Sequence, residues 1–257
     1  MGMAPPRSVS LLTFDLHEAF DSVPWVVYYW VFFAFEFFVY GRLISSLVVQ
    51  PANYIFYYGT GLLVLILFNT ASWAGRSFVE GAHEGRLKYL LSLPIGRNQL
   101  FLEQITLGSV VNTVRLIPPL AVIMWLGGGM SALEFVSTMA VLTVLGIAVV
   151  GLMVSLSFVA FRSFDIYSAV VAGLSALLIR FSTMYYPLSY MPQAYGAVAR
   201  ANPLTYGTDL LRGVLGFPSS LLLDPYLSAA VVIALAIGAL FAGAFTISHA
   251  VEGVKSS

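Results

Sequence analysis

The sequence predicts an all-α polytopic membrane protein with six transmembrane helices, and three observations carry that prediction. First, 59% of the 257 residues are hydrophobic and 9% are charged, against roughly 25% charged in soluble chains. A soluble domain of this length must keep a polar exterior and has no place for so much apolar surface, whereas lipid is a solvent that accepts it. Second, six stretches reach the length of about 20 mostly apolar residues that a spanning helix needs. Third, the prolines and charges gather between those stretches, where the backbone no longer has to satisfy itself in hydrocarbon.

Taken in order, the stretches run Pro24–Val48, Tyr54–Ala74, Gln104–Leu126, Phe135–Phe161, Ile166–Tyr185 and Tyr226–Ser248. The fifth contains Arg180 and is the weakest of them. Upstream of the first, Val9, Leu12, Leu16, Ala19, Phe20 and Val23 share one helical face, with Asp15, Glu18, Asp21 and Ser22 away from it. That pattern predicts an N-terminal interfacial amphipathic helix over residues 1–23. Its polar face is acidic, which favours packing on the protein's own cytoplasmic edge over attraction to anionic lipid. One basic residue, Arg7, precedes a segment with no uninterrupted apolar core, so this terminus reads as retained and not as a cleaved signal.

The loops set the orientation. With the N-terminus inside, Arg7, Arg76, Arg86, Lys88, Arg97, Arg162 and Lys255 collect on the cytoplasmic side, leaving Arg200 and Arg212 outside and Arg42 and Arg180 near the outer interface. The positive-inside rule therefore places both termini in the cytoplasm. Zero formal net charge gives no reason to expect nucleic acid. Without cysteine there is neither a disulfide framework nor a thiolate metal site, and His17, His83 and His249 are too scattered for a metal centre of the usual kind.

Two segments between the spans carry pattern of their own. The loop over residues 76–103 mixes charges of both signs, then sets Leu87, Leu90 and Leu91 at helical spacing before Pro94 and Gly96 stop the run. A short amphipathic helix projecting from a membrane protein suits a partner's groove; a solvated loop is the alternative. The segment over residues 187–225 is broken by Pro187, Pro192 and Pro203, and non-helical backbone at membrane depth must be buried in protein or face water. Within it, Asn202 is placed to cap a helix with Pro203 in its first turn. Asp209 and Arg212, three apart, are placed to pair on that helix, and the plainer expectation is an exposed pair of little energetic worth.

Glu36 lies about 12 residues into the first stretch and Arg115 about 11 into the third, near mid-depth at 1.5 Å per residue. Charges there are costly and ordinarily face the bundle interior with a partner, so the two are expected to form an intramembrane charge pair, within one subunit or across a dimer. Proton coupling through Glu36 is the functional alternative. The first span is crowded with aromatic residues on every side, from Trp25 to Tyr40, which fits lipid-facing bulk better than a cargo path. Pro118 and Pro119 predict a bend in the third span, just after Asn112 and Thr113.

The run Glu84-Gly85-Arg86-Leu87-Lys88-Tyr89-Leu90-Leu91-Ser92-Leu93-Pro94-Ile95-Gly96-Arg97 resembles the first cytoplasmic loop of ABC-2 type transporter permeases. Tyr54–Gly61 is similar to that family's start of span two, and Tyr186–Pro192 and Ala201–Arg212 to its outer segment, with Asn202-Pro203-Leu204-Thr205-Tyr206 the more specific piece. The resemblance implies the membrane subunit of an ATP-binding cassette exporter in the plasma membrane (the cell's inner membrane). It would be a homodimer or paired permease in contact with membrane lipid, driven by a separate ATPase that uses ATP and Mg. It also implies that Glu84, Gly85, Arg86, Leu90, Leu91 and Pro94 form the coupling contact with the ATPase. The outer segment would form short outer re-entrant helices closing the exit, with Asn202, Pro203, Tyr206, Asp209 and Arg212 as the gate. A drug-like, lipid or lipid-linked cargo would move outward.

Independently of the resemblance, no G-x-x-x-x-G-K-[ST] loop occurs, and the only lysines are Lys88 and Lys255. The chain is therefore not its own ATPase of that kind and holds no cofactor. An ion-coupled secondary transporter using Glu36 is the second reading. An intramembrane enzyme is the third, opposed by the lack of a His-x-x-Glu-His cluster, a Gly-x-Ser-x-Gly elbow or a paired acidic motif.

Overall fold

The computed structural model describes residues 23–47, 54–83, 96–159, 163–217 and 224–255. The expected amphipathic helix before Val23 and the coupling residues Glu84, Gly85, Arg86, Leu90, Leu91 and Pro94 lie outside them. Everything regular among the described residues is helical. The first span is α1 (Val23–Phe35), a π-helical turn (Glu36–Gly41) and α2 (Arg42–Ser45) in one unbroken run. There follow α3 (Tyr54–His83), α4 (Arg97–Arg115), α5 (Ile117–Leu126), α6 (Ala132–Val159) and α7 (Phe164–Arg180). After a 3-10 turn (Leu188–Tyr190) come α8 (Gln193–Ala201), α9 (Pro203–Val214) and α10 (Pro225–Lys255).

Five of these runs are long and apolar enough to cross a bilayer: Val23–Ser45, Tyr54–Gly81, Phe101–Leu126, Ala132–Phe158 and Pro225–Gly243. The fold is thus an all-α polytopic membrane protein. The fifth expected stretch, Ile166–Tyr185, differs in the structure: α7 holds 17 residues and stops at Arg180. At 1.5 Å per residue that is about 25 Å, a little short of a hydrocarbon core of about 30 Å.

Local chemistry explains the other boundaries. The Pro118-Pro119 pair ends α4 at Arg115 and restarts the helix as α5, because a proline supplies no N–H and crowds the carbonyl four residues back. Leu116 is the joint, donating to the Thr113 carbonyl at 3.0 Å and accepting from Leu120 at 3.0 Å. Ahead of α6, Gly128 and Gly129 take φ values of 99° and 105°, the left-handed region glycine reaches without strain. A reciprocal cap then starts the helix: the Ser131 N–H donates to Glu134 Oε2 at 2.7 Å and the Glu134 N–H to Ser131 Oγ at 3.2 Å. The second span exceeds the stretch read from hydropathy and runs on to His83, since an Arg76–Glu80 pair four residues apart supports helix beyond the apolar window.

α3 is the spine. In its apolar window 78% of residues are buried inside the protein, against 11% for Val23–Ser45 and 22% for Pro225–Gly243, so the latter two face outward. α6 packs along α3 on one side and along α10 and α4 on the others. Two α3 glycines make the closest approaches possible. A methyl at Gly61 would collide with the carbonyl of Met184, and one at Gly75 with the Tyr167 hydroxyl and the Met153 carbonyl.

Gly61→Val is expected to cost about 1–3 kcal/mol, the range for forcing extra volume into a filled interior. Gly173→Ala, on an α7 face with nothing within 4 Å, is expected to be neutral or stabilising by about 0.5–1 kcal/mol. Thermal unfolding of the detergent-purified variants compares the two.

Candidate functional site

Beyond Arg180 the chain leaves the helix at Phe181 and runs through Thr183, Met184 and Tyr185 without regular structure. Thr183 and Met184 are buried. Backbone of this kind needs partners from elsewhere, since neither water nor a helix provides them. α3 and α9 supply them. The Tyr57 hydroxyl donates to the Thr183 carbonyl at 2.8 Å, and the Tyr54 hydroxyl donates to the Tyr185 carbonyl. From α9, Arg212 Nη2 donates to the carbonyls of Thr183 at 2.9 Å, Met184 at 3.4 Å and Tyr57 at 3.1 Å. Arg212 Nε donates to Thr60 Oγ1 at 3.1 Å, and its guanidinium carbon lies 3.4 Å from the centre of the Tyr57 ring.

Asp209 and Arg212 are therefore not the exposed pair that their spacing suggests, for both are wholly buried. With Thr205 and Thr208 they occupy the i, i+3, i+4 and i+7 positions of one α9 face, and all four are enclosed. Burial pushes the Arg212 pKa down, while Tyr57 and then Asp209 favour the charged form. Arg212 Nη1 is buried with no hydrogen-bond partner among the described residues.

Asn202 joins two helix ends with one side chain. Its Oδ1 accepts from the Leu204 N–H at 3.0 Å as the N-cap of α9, with Pro203 in the first turn where no N–H is needed. Its Nδ2 donates to the carbonyls of Leu178 at 2.6 Å and Phe181 at 2.9 Å, which the end of α7 leaves without helical partners. Tyr206 closes the α8–α9 corner by donating to the Arg200 carbonyl at 2.9 Å. All five outer residues singled out from the sequence thus belong to this segment. The partners on α3, namely Tyr54, Tyr57 and Thr60, were not singled out. Their three-residue spacing at the start of α3 is the signal that marks them.

Glu36 and Arg115 go to different partners. Tyr58 donates its hydroxyl to Glu36 Oε2, at the start of the π-helical turn, and Arg115 Nη1 donates to Asn112 Oδ1 at 3.3 Å. No ion pair joins the two among the described residues. Trp30 Nε1 reaches the Arg115 carbonyl at 2.9 Å, so that carbonyl lies level with a residue six positions before Glu36. Six positions amount to about 9 Å of helical rise.

No group of three or more His, Cys, Asp or Glu residues among those described could hold a metal. The fold and this enclosed outer segment define a multi-pass membrane protein organised around one central helix. The family model for the ABC-2 type transporter matches residues 37–215, and the chain belongs to that family. It is accordingly a membrane permease subunit of a transport system and not an enzyme. No curated protein matches the chain.

Arg212→Met is expected to destabilise the protein by roughly 3–5 kcal/mol, the range for removing one partner from a buried charged network. Arg212→Lys recovers part of that at most, because an ammonium cannot spread planar donors over several carbonyls. Asn202→Ala is expected to cost about 1–2 kcal/mol through its cap alone. Melting temperatures in detergent, with proteolysis at the outer segment as a local readout, check all three.

Proposed function

We propose that the chain is the membrane half of an ATP-driven exporter that moves an amphipathic, drug-like or lipid-linked cargo outward. The observation that carries this reading is α3. It runs without a break for 30 residues, about 45 Å, from the buried contacts of Arg212 to the start of the cytoplasmic loop. A continuous helix of that length converts a push at one end into displacement at the other. On this reading α7 is a sixth span and the short α8 and α9 are re-entrant helices on the outer face. Both termini lie in the cytoplasm, as the positive-inside count favours, and the membrane is the plasma membrane.

Two copies, or this chain and a paired permease, assemble with two ATPase subunits that use ATP and Mg. The ATPase docks on Glu84, Gly85, Arg86, Leu90, Leu91 and Pro94. The outer gate is built on Asn202, Pro203, Tyr206, Asp209 and Arg212. Family membership over residues 37–215 supports this assignment, and the absence of a phosphate-cradling loop leaves hydrolysis to a partner.

The second reading, ion-coupled transport, draws on Glu36, whose partner among the described residues is the Tyr58 hydroxyl. Leu90→Asp and Leu91→Asp are expected to abolish co-purification with a co-expressed ATP-binding cassette ATPase partner, while membrane insertion stays intact. Undiminished co-purification counts against the docking assignment. Transport that survives ATP depletion and collapses with an uncoupler favours the Glu36 reading.

A further inference from the structure

The coupling loop is joined by the chain only to α3 and α4. The chain joins span one to α3 only at the far end of α3 and does not join α7 to it at all, so near the loop movement passes to both through packed side chains. The last turns of α3 before the loop hold a cluster suited to this. The Trp73 ring packs on Trp25 of span one with centroids 4.6 Å apart, and Trp73 Nε1 donates to the Tyr29 hydroxyl at 3.0 Å. On the α7 side, the Arg76 guanidinium lies over two rings, 4.6 Å from the centre of Trp73 and 4.5 Å from that of Phe164, the first residue of α7. Tyr167 donates its hydroxyl to the Ser72 carbonyl at 2.7 Å, and Gly75 leaves room for that hydroxyl and for the Met153 carbonyl of α6. Val79 and Tyr167 are both buried in a small separate core.

We infer that Trp73 and Arg76 are positioning residues for coupling: they carry displacement of the cytoplasmic loop sideways into span one and α7. This rests on the ATPase docking at that loop. Two plainer roles account for less of the geometry. A tryptophan that only anchors the interface needs no polar partner inside the bundle, yet the Trp73 indole is fixed by Tyr29. An arginine that only pairs with Glu80 gains little, because the pair is 38% and 46% exposed. What Arg76 does alone is set one planar cation over a ring of α3 and a ring of α7 at once. The side chain acts as a rivet between two elements with no sequence neighbourhood.

The chain has no cysteine, so single labels can be introduced without background. Val136→Cys on α6 and Val170→Cys on α7 place spin labels at exposed sites, and Val110→Cys on α4 with Val136→Cys provides the control pair. Distances are measured by double electron–electron resonance in the full complex with its ATPase, nucleotide-free and vanadate-trapped. In the otherwise wild-type protein both pairs are expected to shift on trapping.

With Arg76→Gln or Trp73→Ala, the α6–α7 shift is expected to fall by about half or more while the α4–α6 shift persists, as a localised link requires. Arg76→Lys, which keeps the Glu80 pair and loses the planar stack, falls with Arg76→Gln, whereas Glu80→Gln stays at wild type. An α6–α7 shift unchanged in Arg76→Gln and Trp73→Ala overturns the inference, as does loss of both shifts together, which marks general damage. Failure of the unsubstituted permease to co-purify with the ATPase overturns instead the docking assignment on which it rests.

Discussion

Non-helical backbone inside a membrane protein has to find its hydrogen bonds within the protein, and most of what is particular to this fold answers that constraint at residues 181–185. The carbonyls of Thr183, Met184 and Tyr185 point into the bundle, and α3 and α9 meet them with two tyrosine hydroxyls and one guanidinium. Arg212 must be buried to do so, which fixes the rotation of α9. That rotation encloses Thr205, Thr208 and Asp209 along with it. Gly61 must lack a side chain so that Met184 can approach α3. Asn202 must then cap α9 where it also meets the open end of α7. Each placement follows from the one before, so the outer segment behaves as a unit more than as a loop.

The burial of α3 has the same source. A helix that serves as a hydrogen-bonding platform at its outer end and as a clamp for span one and α7 at its inner end has little surface left for lipid. Span one and α10 have the opposite character. Their exposed aliphatic and aromatic side chains, such as Val31, Phe35, Phe241 and Phe245, have lipid as a ready solvent. The hydrophobic effect therefore does not discriminate among faces here. Close packing at glycines and polar contacts decide which helices sit at the centre.

This division explains what was legible in the sequence. Hydropathy located span one and the apolar windows of α3, α5, α6 and α10, because the requirement for apolar length is local. The Asn202–Pro203 cap was legible for the same reason, since the capping residue and its target lie two positions apart. The end of α7 was not. No proline or glycine interrupts the run between Arg180 and Pro187, and the helix stops where Asn202, 22 positions further on, accepts the task of satisfying its last carbonyls. The burial of Arg212 was not legible either, since its spacing from Asp209 equally suits an exposed pair. Its partners include carbonyls, a hydroxyl and a ring, none of which a charge count reveals. Within one chain Glu36 and Arg115 go to different partners, because equal counts from two span starts do not mean equal depth. The π-helical turn at Glu36 had no sequence signal.

Why the chain uses a buried cation at all follows from the alternative. Continuing α7 as regular helix would have satisfied these carbonyls internally only by running a further turn past Tyr185, where Pro187 has no N–H to give the Thr183 carbonyl. It would also have carried the chain straight on and left α8 and α9 no way to fold back over α3. Breaking the helix at Arg180 allows the return, and the break exposes carbonyls in a place water does not reach. A neutral side chain offers one or two donors, whereas a guanidinium offers five in a plane. The planar shape also lets it lie against Tyr57 while its edge reaches Thr60 on one side and the broken segment on the other. Asp209 one turn earlier keeps the charge tolerable. The buried arginine is thus the consequence of a helix that has to end inside the protein, and the fold-back that this end permits is what sets the outer segment against the central helix.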